Sequence, residues 1–273
     1  MTATTLAPAT VHRPQHSSMY WAIADTKTIA WRNLVTLRRL PQLLVFATVQ
    51  PVIFVLMFRY VFGGAIHING SLPYVDYLMP GVFAQTVAFG AIQTGIGLAE
   101  DLHKGLIERF RSLPMARSAV LAGRTLADLV RNVFVVALML AIGYLVGFRI
   151  HTNVLGLIAG MSVMLLFGFS LTWIFAIIGL STSNAETAQA ASFPILAPLV
   201  FASSAFVVVG TMPGWLQAFA KNQPVSIAID AVRSLVLGGQ FANTGKVILS
   251  LAWSVGIIAV FAPLAVRRYR RAA

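Results

Sequence analysis

Long apolar runs alternate with short polar segments along this chain, and the spacing of those runs predicts its elements. Six runs approach or exceed the roughly 20 residues a helix needs to cross a bilayer. They lie at about 43–62, 79–99, 127–148, 154–180, 189–209 and 247–266. The first contains Pro51, which kinks a helix, and carries Arg59 near its far end, where a long side chain can snorkel. Residues 1–19 read as a disordered tail. Residues 20–40, "YWAIADTKTIAWRNLVTLRRL", follow a helical period. Ile23, Ala30, Leu34 and Leu37 fall on one face, and Asp25, Thr28, Arg32, Thr36 and Arg39 fall on the other. Pro41 ends the pattern. A helix of this kind beside a span lies in the membrane interface, with Trp21 and Trp31 at headgroup depth.

Two polar segments have structure of their own. Over residues 100–113 a helix places Leu102, Leu106, Phe110 and Leu113 on one face. Glu100, Lys104, Glu108 and Arg111 fall on the opposite face, alternating in sign. That much charge is too costly to bury at a bilayer centre, so the segment lies at the surface until Pro114 breaks it. A second helix starts near Ala116 and carries Arg117, Arg124, Asp128 and Arg131 into the third span, with Arg124 and Asp128 spaced to pair. Further on, "TMPGWLQAFAKNQPVSIAIDAVRSLVLGGQ" (211–240) reads as two short helices broken at Gln223-Pro224. Pro213 suits a first turn, Ser226 can cap the second helix and Gly238-Gly239 can end it. Trp215 and Phe219 lie one turn apart, suited to resting on the outer leaflet.

Composition agrees with spans and excludes a soluble core. Hydrophobic residues make up 58% of the 273 and charged ones 10%, with no cysteine. A soluble domain carries about 25% charged residues. The absence of cysteine excludes disulfides and thiolate metal sites. The net charge of +12 does not indicate nucleic acid, because there is no solvated domain to gather a basic patch. It follows topology instead. With six spans, both termini share a side that holds fifteen Lys or Arg, against four on the other, and excess Lys and Arg mark the cytoplasm. The apolar run after residue 42 is too long for the core of a secretory signal.

The chemistry expected of several function classes is missing. There is no Walker A pattern, no H-E-x-x-H and no G-x-S-x-G. The histidines His12, His16, His67, His103 and His151 do not pair at metal-ligand spacing. No acidic residue falls near the middle of an expected span, which argues against an ion-coupled carrier. The polar groups inside the spans are neutral. Gln85 and Gln93 share a face of the second span beside Thr86 and Thr94, while Gln50, Ser203 and Ser204 lie in the first and fifth. They can bond neighbouring helices or line a path for a largely apolar substrate. Gly143/Gly147 and Gly156/Gly160 have the G-x-x-x-G spacing of close helix packing. Topology needs Lys and Arg but has no use for Glu108 on an ordered helix. The 100–117 segment therefore reads as a docking surface.

The residues "GLIERFRSLPMARSAVLAGRTLADLVRN" (105–132) resemble the segment between the second and third spans of ABC type 2 permeases. The likeness is strongest to daunorubicin-resistance-type exporter subunits, and "YLMPGVFAQ" (77–85) and "FAKNQPVS" (219–226) add to it. It covers nearly the whole chain in order and spacing. It implies an all-α polytopic membrane protein with six transmembrane helices and an N-terminal interfacial helix. A cytoplasmic coupling helix lies between spans 2 and 3, and an outer helical hairpin (211–240) between spans 5 and 6. Residues 20–273 then form a single transmembrane domain. It also implies two copies of an ABC ATPase subunit, a second permease copy or a sister permease, and the lipid bilayer as partners. The coupling contacts carried over are Glu108, Arg109, Arg111, Ser112, Leu113 and Pro114, flanked by Glu100 and Lys104. Trp31, Arg32, Arg38 and Arg39 belong to the interfacial helix, which also meets the ATPases. ATP and Mg are expected on the partner, with no cofactor and no catalytic residue on this chain. The expected substrate is a hydrophobic small molecule, drug or lipid. Lipid-linked polysaccharide export and ion-coupled transport stand as alternatives, and a non-transporting scaffold or sensor as a third.

Overall fold

The computed structural model describes residues 18–39, 41–64, 72–106 and 117–272. Nine α-helices occur among the described residues. They are α1 (Ser18–Arg39), α2 (Pro41–Leu56), α3 (Tyr74–His103), α4 (Arg117–Val146), α5 (Val154–Gly179), α6 (Ala185–Phe201), α7 (Gly214–Asn222), α8 (Pro224–Val236) and α9 (Thr244–Ala272). Among the described residues, four stretches are long and apolar enough to cross a membrane: Tyr74–His103, Ala119–Val146, Val154–Gly179 and Thr244–Arg271. The chain is thus an all-helical polytopic membrane protein. The runs expected first and fifth form shorter helices. α2 contains Pro51 and continues into the π-helical turn Met57–Val61. α6 is 17 residues long and contains Pro194 and Pro198.

α3 is the axis of the bundle. Residues 74–88 are all buried, and the helix packs on α5, α6, α4 and α8. At 30 residues it is roughly 45 Å long at 1.5 Å per residue. Its crossing with α5 is a backbone contact, since a Cβ on Gly95 would overlap the Phe175 carbonyl and one on Gly179 would overlap the Gly95 carbonyl. At one end of the bundle, Leu98, Leu121, Trp173, Leu180, Ala265 and Tyr269 form a satellite core. That end also carries Lys104, Arg117 and the arginines at 267, 268, 270 and 271, and is called the basic end below.

Several expectations change on contact with neighbouring helices. α1 forms where its period predicted, but its inward face is shifted. Ile29 and Ala30 are buried and so is Asp25, while Ile23 is 64% and Trp31 68% exposed. The partner sets this phase. α1 lies on α4 at Gly123, where an added Cβ would sit 2.7 Å from that of Ile29. Residues 100–113 are not one continuous helix, because Glu100–His103 complete α3 and the chain turns at Gly105, with φ +66°. Glycine adopts that conformation without a steric penalty. The expected fifth span stops at Phe201, and 202–208 turn inward instead of continuing to 209.

The hairpin forms as α7 and α8, broken between Asn222 and Pro224. Gln223, not Ser226, is the N-cap residue of α8, with Pro224 in its first turn. Ser226 instead accepts from Ser204 N at 3.1 Å. Gly238 and Gly239 end α8 with φ of +62° and +50°. Trp215 is 76% exposed.

Candidate functional site: a polar cleft between α2, α3 and α4

One face of α3 repeats nearly every fourth residue: Gln85, Phe89, Gln93, Gly97 and Glu100. This face does not close on its neighbours. It lines a cleft of about 360 Å³ shared with Ala47, Gln50 and Pro51 of α2 and with Arg124, Arg131, Asn132 and Val135 of α4. From Gln85 to Glu100 the cleft follows α3 for roughly 22 Å at the helical rise. It runs from the buried middle of the helix to the basic end. Gln50, Gln85 and Gln93, whose polar side chains suggest a path in the sequence, meet here.

The α3–α4 wall is built on an antiparallel register. Gly97 lies opposite Arg124, Thr94 opposite Asp128 and Gly90 opposite Arg131. A Cβ on Gly97 would overlap the Arg124 guanidinium, and one on Gly90 would fall 2.5 Å from Asn132 Oδ1. The glycines therefore make room for the long polar side chains of α4. Arg131 donates to the Gly90 carbonyl at 2.7 Å and lies 3.2 Å from Asp128. Thr94 Oγ1 donates to the other Asp128 oxygen at 2.6 Å. Arg124 pairs with Asp101 at the end of α3 rather than with Asp128 as its spacing suggested. Spacing within α4 offered Arg124 a partner, but α3 supplies a nearer one. Glu100 accepts from Lys104 at 2.6 Å across one turn, and that hydrogen bond raises the Lys104 pKa above its ordinary value.

Gln85 is unusual among these groups. It is 1% exposed, and among the described residues neither its Nε2 nor its Oε1 has a hydrogen-bond partner. Most buried polar side chains in native proteins have one. Its neighbour Thr86 donates to Val82 O at 2.7 Å and is already satisfied. Gln50 and Gln93 are exposed to the cleft.

Ser203 and Ser204 are not part of the cleft. They lie in the turn after α6, beneath the hairpin. Ser203 Oγ donates to Val200 O at 2.5 Å, and Ser204 Oγ donates to Asp230 at 2.9 Å. The centre of this second cluster is Arg233 of α8, 2% exposed. It donates to Tyr77 O at 2.9 Å and to Ser204 O at 2.6 Å, pairs with Asp230 at 3.3 Å and lies 3.5 Å from the centre of the Tyr77 ring. These contacts join α8 to the start of α3 and to the end of α6. Gln223, 5% exposed, donates to Leu199 O at 2.7 Å and to Ala202 O at 3.1 Å, capping the broken helix. On the same end, Asp76 accepts from Arg149 N at 2.8 Å and bonds His151 at 2.7 Å.

Of the expected docking residues, Glu108, Arg109, Arg111, Ser112, Leu113 and Pro114 lie outside the described residues. Glu100 and Lys104 stand where the chain enters that segment, and Arg117 where it leaves. Arg32 and Arg39 are exposed on α1; the Arg38 side chain also lies outside the description. Sequence reasoning missed Asn132 and the role of Arg131. A signal was present in the seven-residue spacing of Gly90/Gly97, matched by that of Arg124/Arg131.

The ABC-2 type transporter family profile matches residues 24–237, from α1 to the end of α8. Over 249 residues the chain is 41% identical to the daunorubicin resistance ABC transporter permease protein DrrB1 of Streptomyces coeruleorubidus. That alignment covers 91% of this chain and 87% of that protein. Over 234 residues it is 31% identical to the probable doxorubicin resistance ABC transporter permease protein DrrC of Mycobacterium tuberculosis (strain ATCC 25618 / H37Rv), covering 83% and 81%.

Proposed function

The chain belongs to the ABC-2 type transporter family, and from that premise we propose that it is the membrane-spanning permease subunit of an ATP-driven exporter. Its cargo is a hydrophobic small molecule, drug or lipid, moved out across the plasma membrane. In this reading α2 with its π turn and α6 join the four long helices as six spans. The basic end faces the cytoplasm, with both termini. Two copies of an ABC ATPase dock there on the 100–117 segment, with Glu108, Arg109, Arg111, Ser112, Leu113 and Pro114 as contacts, and on α1. A second permease copy or a sister permease completes the route. ATP and Mg belong to the ATPase, which does the hydrolysis.

The observation that carries this reading is the cleft. It starts at Glu100 and Arg124, which flank the docking segment, and runs along α3 to a buried glutamine. A push on that segment acts directly on the ends of α3 and α4, the two helices that form the cleft wall. The Asp101–Arg124 pair ties those ends together, so they move as one. At its other end α3 is fixed to the hairpin through Arg233. One rigid helix thereby links the ATPase side to the outer side.

Asp128, the acidic residue within α4, is engaged by both Arg131 and Thr94 and in this reading braces the cleft wall. The test is a Glu108→Lys reversal, with capture of a P-loop ATPase on the tagged permease and efflux as readouts. We expect both to fall; unchanged capture and efflux would remove Glu108 from the docking surface.

A further inference from the structure

The cleft also constrains what it can hold. Among the described residues its charged groups cancel in pairs: Glu100 with Lys104, Arg124 with Asp101 and Arg131 with Asp128. The described lining therefore offers a ligand no net fixed charge, and an ion gains little from it. Phe89, Ile96, Pro51 and Val135 supply apolar wall. The volume of about 360 Å³ falls within the roughly 300–1,000 Å³ of small-molecule sites.

At the buried end sits Gln85, with a donor and an acceptor on one planar group and no partner for either among the described residues. A buried amide in that condition weakens the fold, where an apolar side chain of the same size would not. Such a cost persists where a bound molecule recovers it. We propose that the buried end of this cleft binds an uncharged molecule with an apolar body through one group that both donates and accepts a hydrogen bond, as a hydroxyl does, and that Gln85 recognises that group. The hydroxyl donates to Oε1 and accepts from Nε2. A methyl ether of the same body can only accept, and it leaves Oε1 buried and unpaired. The inference rests on the reading of the cleft as the substrate route.

The test uses the full-length chain in lipid nanodiscs and two fluorescent probes, 1-hydroxypyrene and 1-methoxypyrene, titrated by anisotropy. Gln85→Met keeps the side-chain volume and removes both polar atoms. Partition of the probes into lipid is the same for both proteins and cancels from the comparison. The wild type should bind the hydroxyl probe roughly tenfold more tightly than the ether, the loss expected when one buried acceptor goes unpaired. In Gln85→Met that preference should fall to within about twofold, with a melting temperature no lower than that of the wild type. An unchanged preference in Gln85→Met would overturn the proposal. So would a variant that melts lower or fails to fold, since the amide would then be bonded within the protein. Absence of saturable binding to the wild type would overturn it as well. No ATPase is present in this assay, so its outcome stands apart from that of the docking experiment.

Discussion

Replacing Gly97 by alanine tests how α3 and α4 are joined beside the docking segment. In an isolated helix the change stabilises by about 0.5–1 kcal/mol, because glycine has more backbone freedom to lose. Here a Cβ at position 97 would overlap the Arg124 guanidinium, so Arg124 has to leave Asp101. The two side chains are 20% and 19% exposed. Their pair therefore lies between exposed ion pairs, worth about 0–1 kcal/mol, and fully buried ones, whose rupture costs about 3–5 kcal/mol. We take about 1–3 kcal/mol for its loss. Gly97→Ala should then fail to stabilise the wild type and should destabilise it by up to about 2 kcal/mol. In an Arg124→Met background the obstacle is gone and the helix gain of about 0.5–1 kcal/mol should appear. Thermal or SDS unfolding of the four proteins in one nanodisc lipid closes the cycle. An interaction of at least about 1 kcal/mol between the two substitutions is expected. If Gly97→Ala stabilises both backgrounds equally, Arg124 does not occupy that space and the clamp is wrong.

Three further outcomes follow from the same contacts. Arg233→Lys should lose about 2 kcal/mol or more in the same unfolding assay despite keeping its charge. An ammonium cannot reproduce the planar fork over Tyr77 and its bonds to the Tyr77 and Ser204 carbonyls. Gln223→Ala leaves the Leu199 and Ala202 carbonyls without their donor and should cost about 1–3 kcal/mol. Asn222→Ala, whose side chain donates only to Ala218 O on an exposed turn, should change stability by less than about 0.5 kcal/mol. Gly179→Val sets a branched side chain against the Gly95 backbone, which cannot rotate away. It should lower folded yield sharply in a fluorescence size-exclusion assay, while Gly256→Val, in open space, should not.

The long helices were legible because hydrophobic run length is a property of the segment alone. Hairpin break and stop were legible for the same reason, since Pro224 and Gly238-Gly239 act on their own backbone. Features set by a partner were not. Asp25 faces inward on α1 because α4 offers Gly123 to Ile29, and no periodicity within 18–39 contains that fact. Arg124 chose Asp101 over Asp128 because α3 brings Asp101 closer than one helical turn does. The end of α6 at Phe201 follows from Pro194 and Pro198 together with carbonyls taken up by Gln223 and Arg233, residues more than twenty positions away. For the cleft, the glutamine face of α3 was visible in sequence. Its facing wall depends on a register between two helices, and only the matched seven-residue spacings hinted at it.

Energy source separates an ATP-driven permease from an ion-coupled carrier. Proteoliposomes containing this chain alone, or this chain with its captured P-loop ATPase and a second permease, can be loaded with a hydrophobic fluorescent drug and supplied with MgATP or a proton gradient. Transport is expected only when the ATPase and MgATP are present together, and none from the chain alone under a proton gradient. Drug movement by the chain alone, driven by that gradient without nucleotide, would contradict the ATP-driven reading.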